Sequence, residues 1–457
     1  MTTASPRPAR AALPPGSRLP ALLQTALFLA APGRASRRAR RRYGPAFAVR
    51  FLGFPPEVMV TTAELAEKIY ALDAGGARAG EVRRQFLEPL VGRHSLLSLD
   101  GDPWWRHRKL LSPPLHGKAI ARYGEDIAKI AAAEIARWPQ GTPFALRDGL
   151  QNITLDVILR LVFGIQDTAR LARLRRLIPE LIAVGGSPAL LLTPPRISAW
   201  TQRSPLAKRL TFLPTTRFLR LKEAVDQLLY AEISHHRAHP VEGATDVLSR
   251  LLEAQDEDGT PLSDEELRDE LITLLEAGHE TTATALAWAF ERLLRTPEVL
   301  AALRKELKQG TSERYLEAVT KEALRSRPVV YNAPRLLDAP LKLGRHEVPA
   351  GWRAGPLISL IHRDPEVYPD PEAFRPERFL GDDAARAQKG WMPFGGGRRY
   401  CVGAQLALLE MRVITREILT RLDLTAPEAA AELPRLRHVT LVPAHGTRVV
   451  THRRPPS

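Results

Sequence analysis

Phe394-Gly395-Gly396-Gly397-Arg398-Arg399-Tyr400-Cys401-Val402-Gly403 carries the only cysteine in the chain. A lone cysteine is ordinarily a small core residue. This one has glycines crowded on one side, and Gly403 opens a helix on the other. Glycines allow tight turning and close backbone approach to a flat ligand. A helix N-terminus and loop amides favour a thiolate over a thiol. Such amides donate to sulfur and tune its electron release. Arg399 places a cation two residues before it. A sulfur held in this way suits an axial ligand of iron. With one cysteine in 457 residues, internal disulfides, cysteine-based zinc sites and iron–sulfur clusters are excluded.

Working outward, other segments carry chemistry. Glu322 and Arg325 stand three apart on a predicted helix and share a face. Pro371-Glu372-Ala373-Phe374-Arg375-Pro376-Glu377-Arg378-Phe379 lies between that helix and the cysteine. The predicted helix 263–294 contains Ala277-Gly278-His279-Glu280-Thr281-Thr282. Glycine inside a helix costs about 1 kcal/mol relative to alanine, and a turn widened for O2 and water is the functional reading of Gly278. Trp104 and Arg108 stand four apart on another helix; Trp105 and Lys109 repeat the spacing one register later. Other matches fail: His279-Glu280 lacks a second histidine at Ala283, and Gly395-Gly396-Gly397 meets Tyr400 where a dinucleotide loop needs glycine.

Together these segments resemble the cytochrome P-450 superfamily of haem-thiolate monooxygenases, in the family's order and over residues 12–450. The ten-residue F-x-x-G-x-R-x-C-x-G signature is matched at Phe394, Gly397, Arg399, Cys401 and Gly403. The resemblance implies a mainly α fold with a small β portion, with haem b between the long helix and the cysteine loop. It makes Cys401 the metal ligand. Trp104, Arg108, Ala277, Arg335, Phe394, Arg399 and Gly403 become cofactor contacts, with Trp104, Arg108, Arg335 and Arg399 at the propionates. Glu322, Arg325 and Arg378 form a structural triad. Glu280 and Thr281 become an acid–alcohol pair that delivers protons to reduced O2, as general acid catalysis requires. Candidate pocket residues are Phe86, Leu96, Thr273, Ala277, Val329 and Val330. Position 276, commonly apolar in the family, is Glu276. It either faces a polar substrate group or, the plainer reading, pairs with a basic neighbour.

The implied reaction puts one atom of O2 into a lipophilic molecule such as a terpenoid, steroid, fatty acid or polyketide. Electrons come from NAD(P)H through an acidic ferredoxin or flavodoxin with its reductase, and Arg106, Lys109, Arg398 and Arg412 are candidate contacts for it. A peroxide-using enzyme, a haem-thiolate isomerase and a haem sensor remain rivals. The relay pair counts against the first two, and the lack of a signalling domain against the third.

Composition narrows the setting. Net charge is +15, and residues 1–50 hold ten arginines and no acid. The plain reading is a solvated basic arm; peripheral contact with an anionic membrane is the sharper one. No finger spacing or aromatic basic stripe supports nucleic-acid binding. Residues 19–33 are too short for a span of roughly 20 residues, so no transmembrane anchor and a cytoplasmic monomer are expected. A flexible arm (1–12), one catalytic domain (13–451) and a polar tail (452–457) are predicted. Strands are expected at 47–51 and 57–61, and helices at 20–43, 63–72, 148–163, 216–238 and 403–421.

Overall fold

The computed structural model describes residues 12–185, 187, 213–437 and 439–454. Most of the predicted arm, most of the 185–215 loop and the end of the tail lie outside these. The elements that frame the site are α1 (Ala21–Ala30), α2 (Pro32–Tyr43), α3 (Ala63–Ala71), α4 (Gly80–Val91), α5 (Gly101–Leu111), α6 (Leu146–Val157), α7 (Pro214–Ala238), α8 (Asp264–Leu294), α9 (Arg314–Ser326) and α10 (Ala404–Arg421). Helix 20–43 is broken at Ala31, which is extended before Pro32, because a residue before proline is pushed out of the α region.

The main sheet pairs β1 (Ala46–Val49), β2 (Glu57–Val60), β3 (Ala77–Arg78), β4 (Arg335–Leu337) and β5 (Arg353–Pro356) in the order β1-β2-β5-β4-β3. The expected hairpin is present: β1 and β2 are antiparallel, with Phe47 opposite Met59. Helix α4 was not foreseen. Pro89 lies inside it, and its apolar spacing is weak.

The core is one large helical cluster, with a smaller one behind the sheet. Helix α8 runs through the large cluster and is buried along most of its length. Its start is set by sequence. Ser263 Oγ accepts from the Glu266 amide, and the Glu266 carboxylate accepts from the Ser263 amide. Asp264, Glu265 and Glu266 fill the first turn, where the helix dipole favours acids. His107 of α5 lies 2.7 Å from Glu270 and 3.2 Å from Glu266 of α8. That bridge orients the helix carrying Trp104 and Arg108.

Helix α8 stays α-helical through Gly278, so the widened turn is not seen. A larger residue there would have to push aside the flexible end of Ile158. A Cβ would meet Ile158 Cδ1 at 2.8 Å, and Ile158 opens the single π turn Ile158–Val162 that ends α6.

Candidate active site

The cysteine loop is closed by the Cys401 amide donating to the Phe394 carbonyl at 3.0 Å. Gly395 and Gly397 have φ of +75° and +66°. The glycine run serves chain packing more than ligand approach. A Cβ on Gly396 would meet the Tyr70 ring at 2.6 Å, and one on Gly397 the Tyr70 carbonyl at 2.6 Å and Asp73 at 2.8 Å. Gly403 alone faces open space.

The Cys401 side chain is exposed, yet burial is the largest influence on its thiol and pushes it up. The two observations agree when the sulfur faces a space walled by protein. The Gly403 amide, Arg108 and Arg83 pull the thiol the other way. The expected thiolate-favouring field therefore exists, but burial outweighs it in the free protein. Coordination to a cation would reverse that balance.

The loop is anchored by the predicted triad. Arg325 forks onto Glu322 at 2.6 and 2.8 Å, and both are fully buried. Arg378 Nε lies 3.5 Å from the same carboxylate. Arg325 also donates to the carbonyls of His362 and Pro371 at 2.8 and 3.0 Å. His362 continues the chain: its Nε2 accepts from the Met392 amide at 3.0 Å. Burial and Arg325 push His362 down to about 3, so its ring is neutral and Nε2 stays an acceptor.

Arg108 and Arg83 are close enough to Cys401 to act on its thiol, and Arg335 and Arg399 act in turn on Arg83. Trp104 is buried and Arg399 stacks on its ring at 4.4 Å. Arg108 faces Cys401, whereas Trp105 is exposed and Lys109 pairs with Glu257. The register is therefore Trp104 and Arg108. Arg399 donates to Asp100 at 2.6 Å and leaves Nη1 without a partner. Arg335 is closed on Asp73 at 2.6 Å, so it is the propionate candidate whose donors are most occupied. Sequence reasoning missed Arg83 of α4. It has no ion pair among the described residues, and burial together with Arg335 and Arg399 pushes it down to about 9. It remains protonated at neutral pH and faces Cys401. Asp100 ties this wall together, since its carboxylate also accepts the Gly80 and Glu81 amides at the start of α4.

These residues fit a haem. Arg335 pairs with Asp73 and Arg399 with Asp100, which leaves Arg83 and Arg108 as two positive charges for two propionates. The orphaned Arg399 Nη1 and the unpaired Arg83 and Arg108 are the groups that would hold them. Buried charge without a partner is too costly to be incidental.

On α8, Thr281 Oγ1 donates to the Ala277 carbonyl at 2.6 Å, the ordinary back-bond of a mid-helix hydroxyl. Glu280 is buried and ion-paired to Arg147 at 2.9 Å, with Arg437 at 3.5 Å. Leu274, Glu276, Ala277, Gly278 and Thr281 are partly accessible within an otherwise buried stretch.

Glu276 has no hydrogen bond or ion pair among the described residues, which overturns the plainer reading of a basic partner. Burial and Glu280 push its carboxyl up to about 7.

Of the other pocket candidates, Leu96 and Val329 are buried in the main core. The Thr273 hydroxyl lies 2.6 Å from Ser95 Oγ. Val330 bridges to Thr440. Phe86 is exposed and stacks on Phe54 at 5.2 Å, away from this group. Among the partner-contact candidates, Arg106 is held by Asp256 and Glu266, and Arg412 by Glu317; Arg398 is exposed over Trp105.

The comparisons agree with this geometry. The family model "Cytochrome P450" matches residues 14–449. A Mycobacterium tuberculosis protein named "Putative cytochrome P450 135B1" is 42% identical over 96% of this chain and 91% of its own length. A second from the same species, 135A1, is 37% identical over 97% and 96%. A retinoic-acid-bound cyanobacterial CYP120A1 superposes with a TM-score of 0.81 at 25% identity, covering 97% of this chain and 100% of that one. The haem domain of cytochrome P450DA matches in fold, with a TM-score of 0.82 at 23% identity and 98% coverage of each chain. A cysteine loop that exposes its sulfur-bearing side chain beside two unpaired arginines, and a family match across nearly the whole length, lead to one statement: the chain belongs to the cytochrome P450 family.

Proposed function

We propose that this cytochrome P450 monooxygenase hydroxylates or epoxidises a lipophilic small molecule, with haem b held by Cys401 and electrons passed from NAD(P)H by a separate ferredoxin or flavodoxin. It is taken to act as a cytoplasmic monomer. The observation that carries the reading is the exposed Cys401 side chain at the end of the glycine loop, within electrostatic reach of Arg83 and Arg108. Bound haem supplies the redox chemistry that activates O2. The chain's own residues do the rest. Trp104, Arg108, Arg399 and Arg83 orient the propionate edge. Burial keeps bulk water from the reacting face. Glu280 sits between the Thr281 turn and Arg437, which reaches the surface with about a third of its side chain exposed. In this reading Arg147 and Arg437 hold the Glu280 carboxylate in place, and Glu280 hands protons on to the Thr281 hydroxyl.

Thr281→Ala tests that handover. Oxygen consumption is expected to continue while product formed per reducing equivalent falls about tenfold or more. Unchanged coupling removes Thr281 from the relay.

Glu276 narrows the substrate. A desolvated carboxyl without a partner prefers a molecule that brings a donor to it. We read the substrate as lipophilic with one hydroxyl or amine placed to meet Glu276. Optical titration of the iron spin state against matched pairs, hydrocarbon and alcohol or amine, measures this. The wild type should prefer the donor-bearing member by on the order of 10²-fold, and Glu276→Leu should erase the preference. Equal affinities in the wild type would leave Glu276 without this role. Absence of any haem spectrum would overturn the whole reading.

A further inference from the structure

Helix α1 is docked the wrong way round. Its buried residues are Gln24 and Phe28. The Gln24 amide donates to the Leu19 carbonyl at 2.7 Å and its oxygen accepts from the Arg50 amide at 3.1 Å. Phe28 meets Phe51 edge-on at 5.0 Å. With a glutamine inside, the leucines turn outward. Leu22, Leu23, Leu27 and Leu29 are 62%, 50%, 54% and 62% exposed. Leu52, held beside them by its amide donating to Thr25 Oγ1, is 57% exposed. Scattered exposed leucines are normal, but a contiguous patch marks an interaction site.

Helix α2 follows directly and is its electrostatic complement. Ala35, Ala39 and Tyr43 pack inward, while Arg34, Arg37, Arg38, Arg41 and Arg42 line one open concavity. None of the five has a carboxylate at ion-pair distance among the described residues, and the first acid in the sequence is Glu57. Arg40 alone turns to an acid, Asp364, at 3.6 Å.

We propose that α1 and α2 form a hairpin that seats the enzyme on an anionic lipid surface, α1 entering the headgroup boundary and the α2 arginines meeting lipid phosphates. An acidic protein would complement the arginines without using the leucines, and a second copy would bury leucines while opposing arginine to arginine. A surface that is apolar beneath a layer of negative charge satisfies both faces at once. At ten residues α1 is only about 15 Å long, half a bilayer core, so it lies along the interface. No helix of the described chain is long and apolar enough to cross a membrane.

The test uses full-length, haem-loaded protein and co-sedimentation with vesicles. Vesicles of phosphatidylcholine with phosphatidylglycerol should retain it at least tenfold better than phosphatidylcholine alone. Arg37→Glu/Arg38→Glu/Arg41→Glu should abolish the difference. Leu22→Ser/Leu23→Ser/Leu27→Ser/Leu29→Ser should lower retention on anionic vesicles at moderate salt. Both sets alter exposed side chains, so an unchanged haem spectrum shows that each variant is folded. No retention by anionic vesicles, or equal retention by both kinds, overturns the proposal. So does a concentration-dependent dimer, seen by light scattering and removed by the leucine changes, which would assign the patch to self-association.

Discussion

Glu322→Ala is expected to give a chain that unfolds several kcal/mol more easily and does not retain haem. The reason is electrostatic. The change leaves Arg325, fully buried, with no carboxylate, and deprives Arg378 of its nearest acid. Removing one partner of a buried pair costs about 3–5 kcal/mol, against a total stability of roughly 5–15 kcal/mol. The Arg375 amide also loses its acceptor, 2.8 Å away. Glu322→Gln keeps the shape and an acceptor but not the charge, so its loss should be smaller. Denaturant midpoints with an unchanged slope measure the difference. A Glu322→Ala midpoint equal to wild type would show that the triad does not hold this region.

Cys401→Ser should do the opposite: almost no loss of stability and near-complete loss of function. The side chain is exposed to the enclosed space and fills no core gap, so a stability change within about 0.5 kcal/mol is expected. Serine's hydroxyl is far less acidic than a thiol and a poor soft donor. Monooxygenase turnover should fall by at least about 10³-fold, and the spectrum of the reduced, carbon-monoxide-bound protein should lose its thiolate signature. A variant that keeps that signature would mean that another group ligates iron.

The two variants separate what was legible in the sequence from what was not. Glu322 and Arg325 are read from their spacing on one helix and Arg378 from the family resemblance of its segment, and the fold brings the three into one network. The Trp104–Arg108 register was ambiguous in sequence because Trp105 and Lys109 repeat it; only burial, Trp104 inside and Trp105 exposed, favours one of the two. Arg83 was invisible. It lies on a helix with a proline inside and weak apolar periodicity, and its role depends on Arg335 and Arg399, which are remote in sequence. Gly278 was read as a functional break, and its nearest neighbour across the core, the flexible end of Ile158, is 120 residues away in sequence. Glu276 was recognised as odd, but only tertiary packing could show that no cation meets it. The sign of the Cys401 shift also failed: a sequence displays donors and charges, not the depth of burial that outweighs them.

The Met392 amide links these observations to time. It is bonded to a neutral histidine ring, and that ring is fixed through Arg325 to Glu322. An amide of this kind exchanges its proton with solvent only when the whole assembly comes apart. Its deuterium uptake is therefore a clock for the cysteine loop, readable without haem, substrate or electrons. It should tick at the rate of global unfolding, while the amide of the exposed Arg398, only a few residues further on, runs far faster.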